Sequence, residues 1–171
     1  MRRVVCGQAG AGVTVQYLED YAVGQIYRSG RHRVDKAQII AFAKAFDPQF
    51  YHLDEEAAKN SPFKGLAASG WHTAAITMRL MVDGEFKPAG GILGFGFDQL
   101  SWPRAVRPGD ELRVMTEILE VRPSKSRPDR GMIRVQNTTL NQNDEAVQTF
   151  TANLIVPRRP AELNHTAASF T

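Results

Sequence analysis

Cysteine is all but absent: Cys6 is the only one in 171 residues. A disulfide within the chain is therefore excluded, and so is a zinc site made of four cysteines. That economy fits a reducing compartment, and a cytoplasmic location is expected. An excess of one charge is also lacking: Lys and Arg number 21 against 18 Asp and Glu, a formal net charge of +3. The balance is too dilute for a nucleic-acid surface. Long apolar runs are missing as well. No segment approaches the roughly 20 apolar residues of a membrane-spanning helix. The opening MRRVVCGQAGAGVTVQ has two arginines but no apolar stretch of the signal-peptide kind. Neither a nucleic acid nor a membrane is expected as a partner.

What is present is ordinary for a globular domain: 43% hydrophobic and 23% charged residues. The length points to one domain with a core large enough to stand without metals or disulfides. Residues 1–16 read as a leader, 17–157 as the domain and 158–171 as a tail. Within the leader, Gly7, Gly10 and Gly12 are spaced G-x-x-G-x-G. That is the wrong order for a dinucleotide-binding loop, and no βαβ alternation follows.

Tyr17–Gly24 reads as an edge segment and turn, and Gln25–Val34 as a strand or bent hairpin broken at Ser29-Gly30. Asp35 opens a helix, with Gln38 three residues on as in a capping box. Ile39, Phe42, Ala43 and Phe46 form its apolar stripe. Pro48 disfavours helix in the residue before it, so Asp47 stands at the helix end. Residues 48–53 read as a turn, and Asp54–Lys59 as a short capped helix stopped at Asn60-Ser61-Pro62.

A second long helix is expected from Ser69 as N-cap to about Val82. Trp71, Ala74, Ala75, Ile76, Met78, Leu80, Met81 and Val82 make it apolar nearly all round, which predicts burial on most sides. Strands follow at Gly91–Trp102, Glu111–Val121, Met132–Leu140 and Ala146–Val156. Gly94 and Gly96 read as places where a helix comes close. A polar, mobile loop is expected at Pro123–Gly131 and a turn around Asn143-Asp144. The order gives an α+β fold, a helix laid on an antiparallel meander of four long strands.

Between the two long helices runs Phe46-Asp47-Pro48-Gln49-Phe50-Tyr51-His52. Taken alone, Asp47 before proline is a turn former and His52 a satisfied polar residue. Together, and with the helix before them, they resemble the Gly-Asp-x-Asn-Pro-x-His motif of the MaoC-like dehydratases, the (R)-specific enoyl-CoA hydratases of the hot-dog fold. Asp47 and His52 keep the motif's spacing, while Phe46, Gln49 and Phe50 replace its glycine, asparagine and proline. Ala68-Ser69-Gly70-Trp71 is similar to the family's His-Gly-Met segment at the start of the central helix. Arg107-Pro108-Gly109-Asp110-Glu111-Leu112 is similar to its turn before a sheet strand. The resemblance spans Tyr17–Pro157.

The resemblance implies an antiparallel sheet wrapped around a long central helix, with an added helix and loop carrying Asp47 and His52. It implies hydration of trans-2-enoyl thioesters, CoA esters above all, to (R)-3-hydroxyacyl thioesters, or the reverse dehydration. Asp47 and His52 are then the catalytic pair, sharing the proton transfers of water addition. Gly70 offers its backbone N–H to the thioester oxygen at a helix N-terminus. No cofactor is needed beyond the CoA of the substrate. A homodimer, sheets joined at their edges, or a higher homo-oligomer built from such dimers is expected. An acyl-CoA thioesterase and a non-catalytic acyl-binding module are the alternatives.

Other residues are ambiguous on sequence. Phe50, Tyr51, Ser69 and Trp71 are candidate substrate contacts, with core packing the competing role for the aromatics. Trp71 and Met78 fit the helix core better. His72 reads as supporting or structural, and Asp54 as a cap. Ser69 lacks the G-x-S-x-G setting of a hydrolase nucleophile. A metal held by Asp47, His52 and His72 has no ligand spacing behind it. Arg104, Arg107, Lys125, Arg127 and Arg130 would suit CoA phosphates or simply form a solvated basic face.

Overall fold

A computed structural model of the chain describes residues 14–161. The glycine-bearing segment at Gly7–Gly12 and most of the expected tail lie outside them. Six strands and four helices are arranged in the order β1 (Ile26–Arg28), β2 (His32–Arg33), α1 (Lys36–Phe46), α2 (Phe50–Leu53), α3 (Glu55–Ala58), α4 (Gly70–Asp83), β3 (Gly94–Ser101), β4 (Glu111–Pro123), β5 (Arg130–Leu140) and β6 (Ala146–Pro157). A 3₁₀ turn at Leu18–Asp20 precedes them.

The sheet is antiparallel throughout, in the order β1-β4-β5-β6-β3, with β2 also on β4. β4, β5 and β6 form the expected meander. β3 does not join it in sequence order: it lies beside β6, because β1 and β2 already fill the free edge of β4. The segment after β3 instead crosses the N-terminal end of α4. Gly94 and Gly96 meet no helix. A Cβ at Gly94 would strike the Leu154 side chain on the neighbouring strand, and Gly96 has open space around it.

Helix ends follow their capping residues. Asp35 accepts from the Gln38 N–H, Asp54 from those of Glu56 and Ala57, and Ser69 from that of Trp71. The expected turn after Pro48 closes far enough to become α2, one helical turn in which the Asp54 N–H reaches the Phe50 carbonyl at 2.9 Å.

The core lies between α4 and one face of the sheet. Strict alternation along β5 turns Ile133, Val135, Asn137 and Thr139 inward. Facing them are Ile76, Thr77, Leu80 and Met81 of α4. Two hydroxyl contacts satisfy polar groups there: Thr77 Oγ1 to Thr139 Oγ1 at 2.7 Å, and Thr116 Oγ1 donating to Asn137 Oδ1 at 2.7 Å. α4 is not buried on most sides. Trp71, Ala75, Met78 and Val82, at i, i+4, i+7 and i+11, form an exposed stripe. One sheet covers one side of a helix, and among the described residues nothing lies over the exposed stripe.

The first and last described segments are tied to the domain. The Gln16 N–H donates to the Lys87 carbonyl at 2.8 Å, and the Ala89 N–H to the Gln16 carbonyl at 2.7 Å. Arg158 pairs with Glu19 and Arg159 with Asp20, the latter also lying over the Tyr17 ring. The Pro123–Gly131 region is shorter as a loop than expected, because β4 runs through Pro123 and β5 starts at Arg130.

Candidate active site

Three backbone decisions bring the site together. α1 ends at Asp47, whose N–H still reaches the Ala43 carbonyl at 2.9 Å while its φ and ψ have left the helical region. α2 then turns the His52 ring back toward Asp47. The extended segment Leu66–Ala68 runs alongside. There the Ala67 N–H donates to the Tyr51 carbonyl at 3.2 Å, and the Ala68 N–H to the Val106 carbonyl at 2.8 Å.

The result is a close pair: His52 Nε2 stands 3.4 Å from Asp47 Oδ2. The other ring nitrogen, Nδ1, lies 2.7 Å from the Ala67 carbonyl oxygen. A carbonyl only accepts, so Nδ1 carries the hydrogen. In the neutral ring, Nε2 then presents a lone pair toward a carboxylate that also only accepts. Such a pair suits a shared donor set beside it, and a water molecule, with two O–H groups, can give one to each. His52 is buried and stacked among aromatics, with Tyr51 edge-on at 4.6 Å and Phe63 at 6.0 Å.

Asp47 is held from two more sides. The Ser69 hydroxyl, foremost, and the Gln49 amide keep its pKa below the usual carboxylate range, with a smaller contribution from His52. Burial works in the other direction. The Gln49 contact is 2.7 Å from Nε2 to Oδ1. The Tyr51 hydroxyl donates to Gln49 Oε1, which orients the amide so that its N–H₂ faces Asp47. Gln49 was legible in the sequence only as a departure from a motif. Its position two residues beyond Asp47 was the signal for this role.

Asp47, Gln49, Tyr51, His52, Ser69 and Gly70 line one cleft of about 310 Å³, closed by Phe63, Trp71, Trp102 and Arg104. Gly70 is the first residue of α4, so its N–H belongs to the turn that no intrahelical carbonyl satisfies. It must be glycine for a steric reason: an added Cβ would stand 2.8 Å from Cδ2 and Cε2 of Trp102. Trp102 is anchored by its Nε1, which donates to buried Gln148 Oε1 at 2.8 Å, and it meets Trp71 edge-on at 5.4 Å.

Several sequence expectations move. Trp71 is not helix core: it is 59% exposed and walls the cleft. Phe50 is half-exposed and packs on Tyr51 rather than lining the cleft. Arg107 is not a phosphate ligand. Its guanidinium is taken up by the carbonyls of Phe63, Gly65 and Leu66, which fix the loop before Ala67. Of the basic candidates, Arg104 alone lines this cleft, 3.3 Å from Glu145. His72 stacks flat on Phe42 at 4.8 Å, away from Asp47 and His52. Burial, with His32 beside it, holds its pKa below the ordinary value. Among the described residues, no three His, Cys, Asp or Glu side chains gather as a metal site. No helix among them is long and apolar enough to cross a membrane.

Comparison with known proteins agrees with this architecture. A MaoC-like dehydratase from Rhodospirillum rubrum is 59% identical, with a TM-score of 0.82 over 85% of this chain and 99% of its own. An (R)-hydratase of Pseudomonas aeruginosa, PhaJ1, is 25% identical, with a TM-score of 0.67 over 84% of this chain and 86% of its own. YdeM, an uncharacterized protein of Bacillus subtilis, is 33% identical over 81% of this chain and 96% of its own length. Residues 20–141 match the family described as MaoC like domain. The chain therefore belongs to the MaoC-like family of dehydratases and hydratases, with the hot-dog fold.

Proposed function

We propose that this protein adds water reversibly to trans-2-enoyl thioesters, CoA esters foremost, giving (R)-3-hydroxyacyl thioesters. The observation that carries the reading is the Asp47–His52 pair, 3.4 Å apart with His52 Nδ1 committed to a backbone carbonyl, beside the first N–H of α4. Hydration needs a base for water, a proton for the α-carbon and donors for the thioester oxygen. Asp47 takes a proton from water as its oxygen bonds to C3. The electron pair of the double bond moves toward the carbonyl, and the enolate oxygen gathers charge at the Gly70 N–H. His52 orients the water and helps pass the proton taken by Asp47 on to the α-carbon. Each turnover takes one proton from water and returns one to the α-carbon, so the pair ends in its starting state. No metal or organic cofactor takes part in the scheme. The site works in the cytoplasm as part of a homodimer, to which the exposed β3 edge and the open stripe of α4 are suited.

The stereochemical part of the reading rests on the likeness to the P. aeruginosa (R)-hydratase. The test is a spectrophotometric assay with trans-2-enoyl-CoA of several chain lengths, followed by chiral analysis of the product. Loss of the conjugated absorbance with an (R) product is expected. Asp47→Asn and His52→Gln should each lower the rate by about 10²–10⁴-fold while leaving the melting transition in place. Full activity in both variants, or free thiol released from saturated acyl-CoA with no hydration, would sink the proposal.

A further inference from the structure

A second and larger cleft, about 560 Å³, lies on the outer face of the sheet at the β4–β5 hairpin. Its walls carry Arg122, Lys125, Arg127 and Arg130, and its floor includes Met132 and Ile155. Arg122, Met132 and Ile155 are adjacent in register on three neighbouring strands, so the floor is part of the sheet itself. The cleft stands apart from the Asp47–His52 site. β4 begins at Glu111, just beyond the Arg107–Asp110 turn near that site, and reaches the hairpin 13 residues later, a strand of about 40 Å.

The charge here is cancelled only in part. Arg130 pairs with Asp129 at 2.8 Å, and Arg122 lies 3.9 Å from Glu120. Among the described residues, Lys125 and Arg127 have no carboxylate within ion-pair distance. The turn that presents them is built rather than loose. The Ser124 N–H donates to the Arg130 carbonyl at 3.1 Å, the Arg127 N–H to Ser124 Oγ at 3.1 Å, and the Arg158 N–H to the Asp129 carbonyl at 2.8 Å. Four cations, two of them unpaired, are thus held around an apolar floor in a cleft of the volume that takes a small ligand.

We infer that the β4–β5 hairpin cleft binds a phosphorylated nucleotide, its phosphates among Lys125, Arg127 and Arg130 and its flat base over Met132 and Ile155. Inorganic phosphate would use the cations alone and leave the floor bare. A nucleotide uses both, which is why the mixed lining favours it. Two sources share this chemistry: the adenosine 3′,5′-bisphosphate end of a CoA thioester, bound across a dimer, and a free nucleotide.

The probe is ADP, titrated by calorimetry into the whole protein, with inorganic phosphate as control. Saturable binding is expected, weakening as salt rises, and dropping about tenfold or more in Lys125→Glu/Arg127→Glu. Both side chains are exposed, so the fold survives the change. Binding undiminished in Asp47→Asn separates this cleft from the catalytic one. That arm stands whether or not the hydration reading holds. The source is then read from kinetics, which rest on that reading. A raised KM for enoyl-CoA but not for the matching enoyl-pantetheine assigns the cleft to the substrate's own nucleotide. Unchanged KM values with lost ADP binding assign it to a separate one. No saturable binding, equal binding in the charge-reversed variant, or a preference for duplex DNA over the mononucleotide overturns the inference.

Discussion

Placing a methyl group on Gly70 tests how the cleft is built. The new Cβ would stand 2.8 Å from two ring carbons of Trp102, where carbon contacts settle at about 3.5–4.0 Å. Trp102 cannot simply swing aside. Its Nε1 holds the buried Gln148 Oε1 at 2.8 Å, and stripping that acceptor costs about 1–3 kcal/mol. Shifting the start of α4 instead is overpacking, with a cost of about 1–3 kcal/mol. Alanine offsets part of this, because it favours a helix over glycine by about 0.5–1 kcal/mol. The backbone of Gly70 is not left-handed, so nothing else opposes the change. The net loss is about 1–2 kcal/mol, which for a domain of this size lowers Tm by about 2–8 °C. The sign is diagnostic, since without the Trp102 contact alanine would stabilise. In a Trp102→Ala background the obstacle is gone, and Gly70→Ala becomes neutral or stabilising. The double-mutant cycle should therefore show coupling of about 1–2 kcal/mol. Calorimetric melting of the four proteins measures it. An unchanged or raised Tm for Gly70→Ala alone refutes the steric argument.

Three further outcomes are expected. Ser69→Ala removes both a helix cap, about 1 kcal/mol, and the main contact that lowers the Asp47 pKa. The Asp47 pKa then rises toward the usual carboxylate range. The depressed pKa contributes stability above the unfolded value that is lost as pH falls through the folded one. In Ser69→Ala that contribution shrinks, and the acid limb of kcat/KM moves to higher pH, as a pH–rate profile would show. Arg107→Lys leaves at least two of three carbonyls poorly served, since one ammonium cannot reproduce the guanidinium fork. A loss of about 2–4 kcal/mol is expected by denaturant unfolding, with a parallel loss of activity. Phe95→Lys places a charge on the outermost strand at a residue 83% exposed. Sedimentation should show the proposed dimer giving way to monomer, and a monomeric parent would refute the dimer on which this outcome rests.

The helices were the most legible part of the chain. Asp35 and Ser69 announce α1 and α4 because an N-cap is a local device, a side chain bonded within three residues of itself. The Asp47–His52 pair was also readable, since both residues lie within one turn-and-helix unit. Strand order was not. Which edge β3 takes depends on β1 and β2 having filled the far side of β4, a fact carried by no pattern within β3. Trp71 misled because an apolar residue beside a helix start reads alike whether it faces a core or a cleft. Arg107 misled for the opposite reason: its charge suggested a ligand, whereas its partners are backbone carbonyls more than 40 residues away in sequence. The Gln49 contact to Asp47, and the Tyr51 contact that orients Gln49, stayed hidden behind the motif positions they occupy.

The carbonyl that orients His52 belongs to Ala67, and this decides what can disturb the imidazole. A side-chain partner can be deleted by one substitution; a main-chain oxygen cannot. Any residue at position 67 brings the same acceptor. The protonation pattern of the ring is therefore insulated from change at its own partner and vulnerable only to movement of the peptide that carries it. The N–H of that peptide, Ala68's, donates to the Val106 carbonyl, and the peptide before it is held by Tyr51 on one side and, through the Leu66 carbonyl, by Arg107 on the other. The choice of which His52 nitrogen bears the hydrogen is thus made by the main chain, with a guanidinium outside the cleft bracing the neighbouring peptide.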